Sequence, residues 1–306
     1  MTVVFQNKGL IDVRGITTFG VCVKPETSNP IGYFGTGLKY AIAVLLREGL
    51  SVTLLYGTRK YKFQARKQKI RGEDFHIVQM DGKDLPYTTE LGKNWELWMA
   101  YRELAANAFD EPEASIRRKK SPIPHAGYTS FVVEGDAIDA VHEGRDQIFL
   151  GSTPRYAFDT VELHDGPNVG KYIYYRGIRV HELPKGAMYN YHILSNVELT
   201  EDRTLPSIYK AYRAIAEAIV ACDNAGLIRQ LLEANQNYFE STIDYNLWSV
   251  EPGETFFKVV ERYYHTNTSY NRTARGLYDE HRPDKPAPVT VMWETIPMER
   301  RRKLWA

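Results

Sequence analysis

The chain is poor in cysteine: its 306 residues hold two, Cys22 and Cys222, two hundred residues apart. That usage argues against a disulfide framework and against a zinc site built from cysteines, and it fits a reducing cytoplasm. Long apolar runs are also missing. The longest, such as 41–46, fall far short of a membrane span, so no membrane partner is expected. The N-terminal MTVVFQNKG lacks a basic region followed by an apolar stretch, and no secretory leader is expected. Charge of one sign is not in excess, since 39 Lys and Arg stand against 38 Asp and Glu. With a net charge of +1 no global field draws nucleic acid, although the basic runs 117–120 and 300–303 remain local candidates. The eight histidines show no HExxH-like spacing. His164-Asp165 and His181-Glu182 read as isolated surface or structural pairs. Ser152 and Ser195 lack the context of a nucleophile elbow. There is no internal repeat and no low-complexity tract.

What is present is a hydrophobic fraction of 43%, enough for a sizeable core in one large or two ordinary domains. Apolar alternation and turn residues predict strands over 2–5, 51–56, 61–64, 75–80, 130–133, 147–150, 172–175 and 178–182. Helical signals predict 36–49, closed by Gly49, and 95–110, closed by Pro112 because Glu111 precedes a proline. Residues 16–30 read as a loop. Further helices are expected over 206–222, 225–235 and 254–265, followed by a proline-rich break at 281–288, a short strand and a basic tail. The expected order is α+β over 1–204 and mainly helical over 205–306.

Two segments carry chemistry. Asn29-Pro-Ile-Gly-Tyr-Phe-Gly-Thr-Gly-Leu-Lys39 sets glycines at 32, 35 and 37 just before a predicted helix. Glycines let a backbone approach a ligand closely, and a helix N-terminus offers free N–H groups and partial positive charge to an anion. Lys39 and Lys24 could add charge. The same residues also read as a tight connection from loop to helix. The spacing is not that of a Walker A loop, nor of a dinucleotide fingerprint.

In Glu103-Leu-Ala-Ala-Asn107-Ala-Phe-Asp110 the polar residues recur at i, i+4 and i+7, on one helical face. Alanines 105, 106 and 108 allow close approach. Asparagine is a poor helix-interior residue, and its amide oxygen suits Mg²⁺. A carboxylate one turn away could activate water. In isolation this pattern reads equally as the solvated face of an amphipathic helix.

Taken together, the two segments resemble the ATP-binding boxes of the GHKL superfamily, the Bergerat fold shared by chaperone ATPases, the ATPase component of DNA gyrase, MutL and histidine kinases. Glu103–Asp110 resembles the N box, ELxxNxxD, and Ile31–Leu38 resembles the second glycine box, in the form the chaperones carry. The resemblance implies that Glu103 activates water and Asn107 binds Mg²⁺. It implies that Gly32, Phe34, Gly35, Thr36, Gly37, Leu38 and Lys39 wrap the triphosphate, with Asp110 alongside. In the family the N box comes first; here the glycine box precedes it. A circular permutation reconciles the order, since chain termini often lie close together. The first glycine box is then the N-terminal strand with Asn7-Lys8-Gly9, and Phe19–Lys24 is the lid, which offers Lys24 to a phosphate. Asn7 stands where the family has an aspartate that accepts the adenine amino hydrogen; an amide oxygen can accept it without charge. Asp110 and Asp12 are the alternatives for that role.

Residues 175–180 and 196–204 are similar to segments that follow the ATP site in some bacterial and phage GHKL-like proteins, and the whole chain resembles uncharacterised tailed-phage proteins. The implied fold is a circularly permuted Bergerat-type α/β sandwich with a mainly helical C-terminal part. The implied activity is Mg²⁺-dependent ATP binding with slow hydrolysis, in a host cytoplasm if the chain is phage-encoded. A non-catalytic nucleotide switch, or an interaction protein acting on a host or DNA-associated partner, is the alternative. ATP is the expected ligand, with a protein partner or homodimer left open and nucleic acid not indicated.

Overall fold

A computed structural model describes residues 1–18, 36–166, 170–200, 203–247, 250–262 and 269–284. It divides into two compact units, Met1–Ile148 and Phe149–Ala306.

The first unit is built on a seven-stranded antiparallel sheet. Its strands are β1 (Thr2–Lys8), β2 (Ser51–Tyr56), β3 (Arg59–Ile70), β4 (Glu73–Met80), β5 (Lys83–Thr88), β6 (Ser115–Arg118) and β7 (Tyr128–Glu134). Their order is β5-β4-β3-β2-β7-β1-β6. Helices α1 (Arg14–Thr17), α2 (Gly37–Arg47), α3 (Leu97–Phe109) and α4 (Asp136–Glu143) complete it.

The period-2 pattern of Val3-Val4-Phe5-Gln6-Asn7 makes β1 a strand with distinct faces. Val3, Phe5 and Asn7 share the face on which α3 lies. The Phe5 ring meets Tyr101 of α3 edge-on at 5.0 Å, and burying each such side chain is worth about 1.5–3 kcal/mol. α2 packs beside α3 and over β2 and β3. It ends where Gly49 takes a φ of +73°, a conformation that other residues adopt only with strain. α3 ends at Asp110, just ahead of Pro112.

The second unit holds a five-stranded sheet: β8 (Tyr156–Ala157), β9 (Val161–His164), β10 (Gly170–Tyr175), β11 (Ile178–Ala187) and β12 (Asn190–Ile193). The order is β11-β10-β12-β9-β8, with only the β10–β12 pair parallel. Helices α5 (Tyr209–Val220), α6 (Ala225–Leu232), α7 (Glu254–Arg262) and α8 (Ser269–His281) share one core with these strands, in which Ile173, Tyr191 and Ile193 join Ile215, Leu231 and Phe256.

The mixed α/β composition agrees with the α+β expectation, and the helical character beyond 205 is seen in α5–α8. The compact division falls at 148/149, whereas the sequence suggests 204: residues of α5–α8 share one hydrophobic core with residues of β9–β12. The strand expected at 147–150 is not formed. Residues Arg145–Gln147 make a 3₁₀ turn, and Phe149 contributes one isolated bridge to Ile178. An apolar run this short has no period of its own, and its surroundings decide its form. β5, β6, β8, β9, β12 and α4 carry too little periodic signal to stand out in the sequence. Among the described residues no helix is long and apolar enough to cross a membrane.

Candidate functional site

The site is assembled from the first turn of α2, the C-terminal half of α3 and the end of β1. Thr36 is the N-cap residue of α2 and makes no side-chain cap bond. Its hydroxyl is buried and has no hydrogen-bond partner among the described residues. Gly37 opens the helix. A Cβ built on Gly37 would lie 2.2 Å from Oε2 and 3.0 Å from Cδ of Glu103. The carboxylate therefore lies directly on the α2 backbone, at a helix end that favours negative charge. Leu38 is half-buried, and Lys39 is fully buried. The Lys39 ammonium donates to the Gly15 carbonyl of α1 at 2.7 Å. Burial pushes its pKa below the ordinary lysine value.

On α3, Glu103 is 1% exposed. Its Oε1 lies 3.5 Å from the guanidinium of Arg102, itself fully buried. Asn107 is half-buried and donates its amide N–H to the Glu103 carbonyl at 2.8 Å, which fixes the side chain and turns its oxygen away from that carbonyl. Asp110 caps α3 through its backbone N–H to Ala106.

At the end of β1, Asn7 is buried on the helix-covered face, opposite Thr129 of β7. Its amide donates to the Lys8 carbonyl at 3.1 Å. Gly9 has φ +102°, and its carbonyl accepts from the Thr129 hydroxyl at 2.8 Å. The same hydroxyl accepts from the Ile11 amide at 3.1 Å. The Lys8 amide donates to the Pro112 carbonyl at 2.8 Å, joining the end of β1 to the segment after α3. Asp12 is engaged by the Arg14 side chain, whose hydrogen bonds pull its pKa down to about 2.

These contacts form a closed circuit. β1 runs through α1 to Lys39, from Gly37 to Glu103, and from the end of α3 back to Lys8. Asn7, Gly9, Thr36, Gly37, Leu38, Lys39, Glu103, Asn107 and Asp110 all belong to the segments of this circuit. Lys24, Gly32, Phe34 and Gly35 lie outside the described residues. Thr129 and the carbonyl of Gly15 were not foreseen. Both join the site through pairing or contact between distant segments, for which the local sequence carries no signal.

A second polar cluster lies in the other unit. Glu162 and His164 project from one face of β9, and His192 of β12 stands opposite Glu162 in register. Glu162 Oε2 is 2.8 Å from His192 Nδ1 and 3.3 Å from His164 Nε2. Ser152 Oγ lies 3.1 Å from His164 Nδ1. The three ligand atoms are close enough together to suggest a metal ion. However, the Gly177 N–H donates to His192 Nε2 at 3.1 Å, so that nitrogen carries the lone pair and Nδ1 carries the proton given to Glu162. A metal would need that same Nδ1 lone pair. The cluster is therefore a hydrogen-bond network that ties β9 and β12 to the β10–β11 turn. The sequence reads His164 as an isolated pair with Asp165, and it carries no signal for the register that sets His192 beside Glu162.

No family model matches this chain, and neither does any curated protein or solved structure.

Proposed function

We propose that the chain binds ATP with Mg²⁺ at the circuit formed by α2, α3 and the end of β1, in a circularly permuted Bergerat-type arrangement, and hydrolyses it slowly. The observation that carries this reading is the contact between Gly37 and Glu103. It joins the two segments that resemble the glycine box and the N box, in a chain where they stand in reversed order. The residues present fit the ligand. Thr36 leaves a buried hydroxyl without a partner among the described residues, and Asn107 supplies a held amide oxygen. Mg²⁺ takes few protein ligands and keeps several waters, so one amide oxygen is an adequate protein contribution. When bound, the metal would neutralise charge on the phosphate oxygens.

In this reading the amides opening α2 hold the terminal phosphates, with Lys24, Lys39 and the glycines at 32 and 35 contributing to the same cradle. Glu103 takes the proton from the attacking water. Asn7, beside Thr129, meets the base through its amide oxygen. Calorimetry with ATP and Mg²⁺ tests the binding. Micromolar-to-millimolar affinity that Asn107→Ala weakens is expected, and absence of heat at millimolar nucleotide would overturn the reading. Phosphate release then separates binder from enzyme: Glu103→Ala abolishes turnover and preserves binding.

A second reading is favoured by the burial of Glu103 at 1% exposure beside Arg102 and Gly37. Here Glu103 is an anchor at the helix N-terminus, and the chain is a non-catalytic nucleotide switch or an interaction protein acting on a host or DNA-associated partner. Glu103→Ala would then lower the melting temperature and leave no turnover to lose.

A further inference from the structure

We propose that the β3–β4 hairpin is an arm that binds the phosphate backbone of duplex nucleic acid. This inference is independent of the nucleotide site. Three observations carry it.

The first is geometric. β2 pairs with β3 only over 59–63, and the β5 side follows β4 as far as His76, whose carbonyl accepts from the Thr89 N–H at 2.9 Å. The ribbon therefore outruns β2 from Gln64 onward, and from Gln68 to Phe75 it extends past both neighbouring strands. Six residue steps from Gln64 to Ile70 carry it about 20 Å beyond β2. Its closing turn has Arg71 at φ 50° and Gly72 at φ 93° between the paired Ile70 and Glu73. Two left-handed central residues define a tight type I′ hairpin, which puts Arg71 at the tip.

The second observation is burial. From Gln64 to His76 every residue is exposed except Gln68 and Phe75, which are half-buried, so neither face of the ribbon covers a core. A bare two-stranded ribbon has little stability of its own, and a partner is the natural cover for it.

The third is charge. β3 carries Arg59, Lys60, Lys62, Arg66, Lys67 and Lys69, and the turn adds Arg71; β4 sets only Glu73 and Asp74 against them, so the hairpin from Arg59 to Met80 carries +5. The rest of the chain offsets them almost completely, since the whole carries +1. Strand alternation puts Lys60, Lys62 and Arg66 on one face, and Arg59, Lys67 and Lys69 on the other. Arg66 pairs with Asp84 at 2.6 Å and Lys67 with Asp74 at 2.7 Å, exposed pairs that exchange partners readily. Lys60, Lys62, Lys69 and Arg71 make no ion pair among the described residues.

A narrow ribbon with cations on both faces and at its tip suits a duplex groove, which has a row of phosphates on either side and admits a two-stranded ribbon. A flat acidic protein surface would meet only one of the two charged faces.

The test is fluorescence anisotropy of the full chain with a labelled mixed-sequence DNA duplex over a salt series. The comparison variant is Lys60→Gln/Lys62→Gln/Lys69→Gln/Arg71→Gln. These side chains are exposed, and a circular-dichroism melt checks that the fold is unchanged. Wild type is expected to bind at low salt. The variant should bind at least about tenfold more weakly, with a log–log salt slope shallower by about 3–4. A control, Lys119→Gln/Lys120→Gln, should change affinity less than about twofold if the hairpin is the site. The proposal is overturned if wild type shows no duplex binding at low salt, or if the fourfold variant keeps wild-type affinity and slope. It is equally overturned if polyglutamate or anionic phospholipid vesicles bind the wild type as tightly as the duplex does.

Discussion

Gly37 and Glu103 meet where α2 begins, with a Cβ on Gly37 falling 2.2 Å from the Glu103 carboxylate oxygen. The glycine is needed for this contact, and the buried carboxylate has little space into which to retreat. Gly37→Ala is expected to cost about 1–3 kcal/mol by overpacking. Glu103→Ala removes the obstruction, so the double variant should be more stable than the sum of the single effects by more than about 0.5 kcal/mol. Denaturant unfolding of the four proteins measures the coupling. Strict additivity would show that the carboxylate moves aside without cost.

Lys39 gives a second prediction. Burial lowers its pKa from 10.5, so the unfolded chain binds more protons between the lowered value and 10.5. Stability from this residue therefore rises with pH through that window, by about 1.4 kcal/mol for each unit of depression. Urea unfolding of wild type and Lys39→Met from neutral pH upward should show wild type gaining on the variant. A constant difference would mean that Lys39 is not held in a desolvated place.

Glu162 behaves in the opposite sense. Hydrogen bonds, first from His192, hold its pKa below 4.5 in the folded chain. Its stabilisation is present above pH 4.5 and is lost as pH falls through the lower, folded value. Glu162→Ala should cost about 1.5–3 kcal/mol at neutral pH, and the cost should shrink in acid. Thermal melts of both proteins across that range provide the measurement.

Glu233 follows the last turn of α6, and burial raises its pKa from 4.5 to about 7 despite Arg229. A carboxylate at a helix C-terminus also opposes the helix dipole. The folded chain binds more protons between these values, so stability is lost as pH rises through them. Glu233→Gln should be more stable than wild type above pH 7, by about 1–3 kcal/mol. The two should converge near pH 4.5, as denaturation midpoints would show.

Much of the first unit was legible locally. The bounds of β2 are those the alternation and turn residues suggest, and α2 and α3 lie within two residues of their expected ends. The basic hairpin was legible in part. A strand was expected at 61–64, but its extension to Ile70 alternates no apolar residues and left no pattern to read. Of the candidate site, Glu103 and Asn107 were legible because a helix repeats its face every three to four residues. Thr129 was not, because it joins Asn7 through pairing of β1 with β7.

The sequence by itself determined the conformation of the strongly periodic segments: that α2, α3, α5, α6 and α7 are helical, where glycine and proline stop α2 and α3, and that Glu103, Asn107 and Asp110 share a helical face. These follow from backbone sterics and side-chain periodicity, which act over a few residues. Only the tertiary structure decided that Gly37 touches Glu103, that Asn7 lies under the helices and that Gly177 fixes the proton on His192. It also decided that β3 outruns its neighbours. Each of these depends on packing or register between segments distant in the chain, and that is set by burial of the whole rather than by any residue's neighbours in sequence.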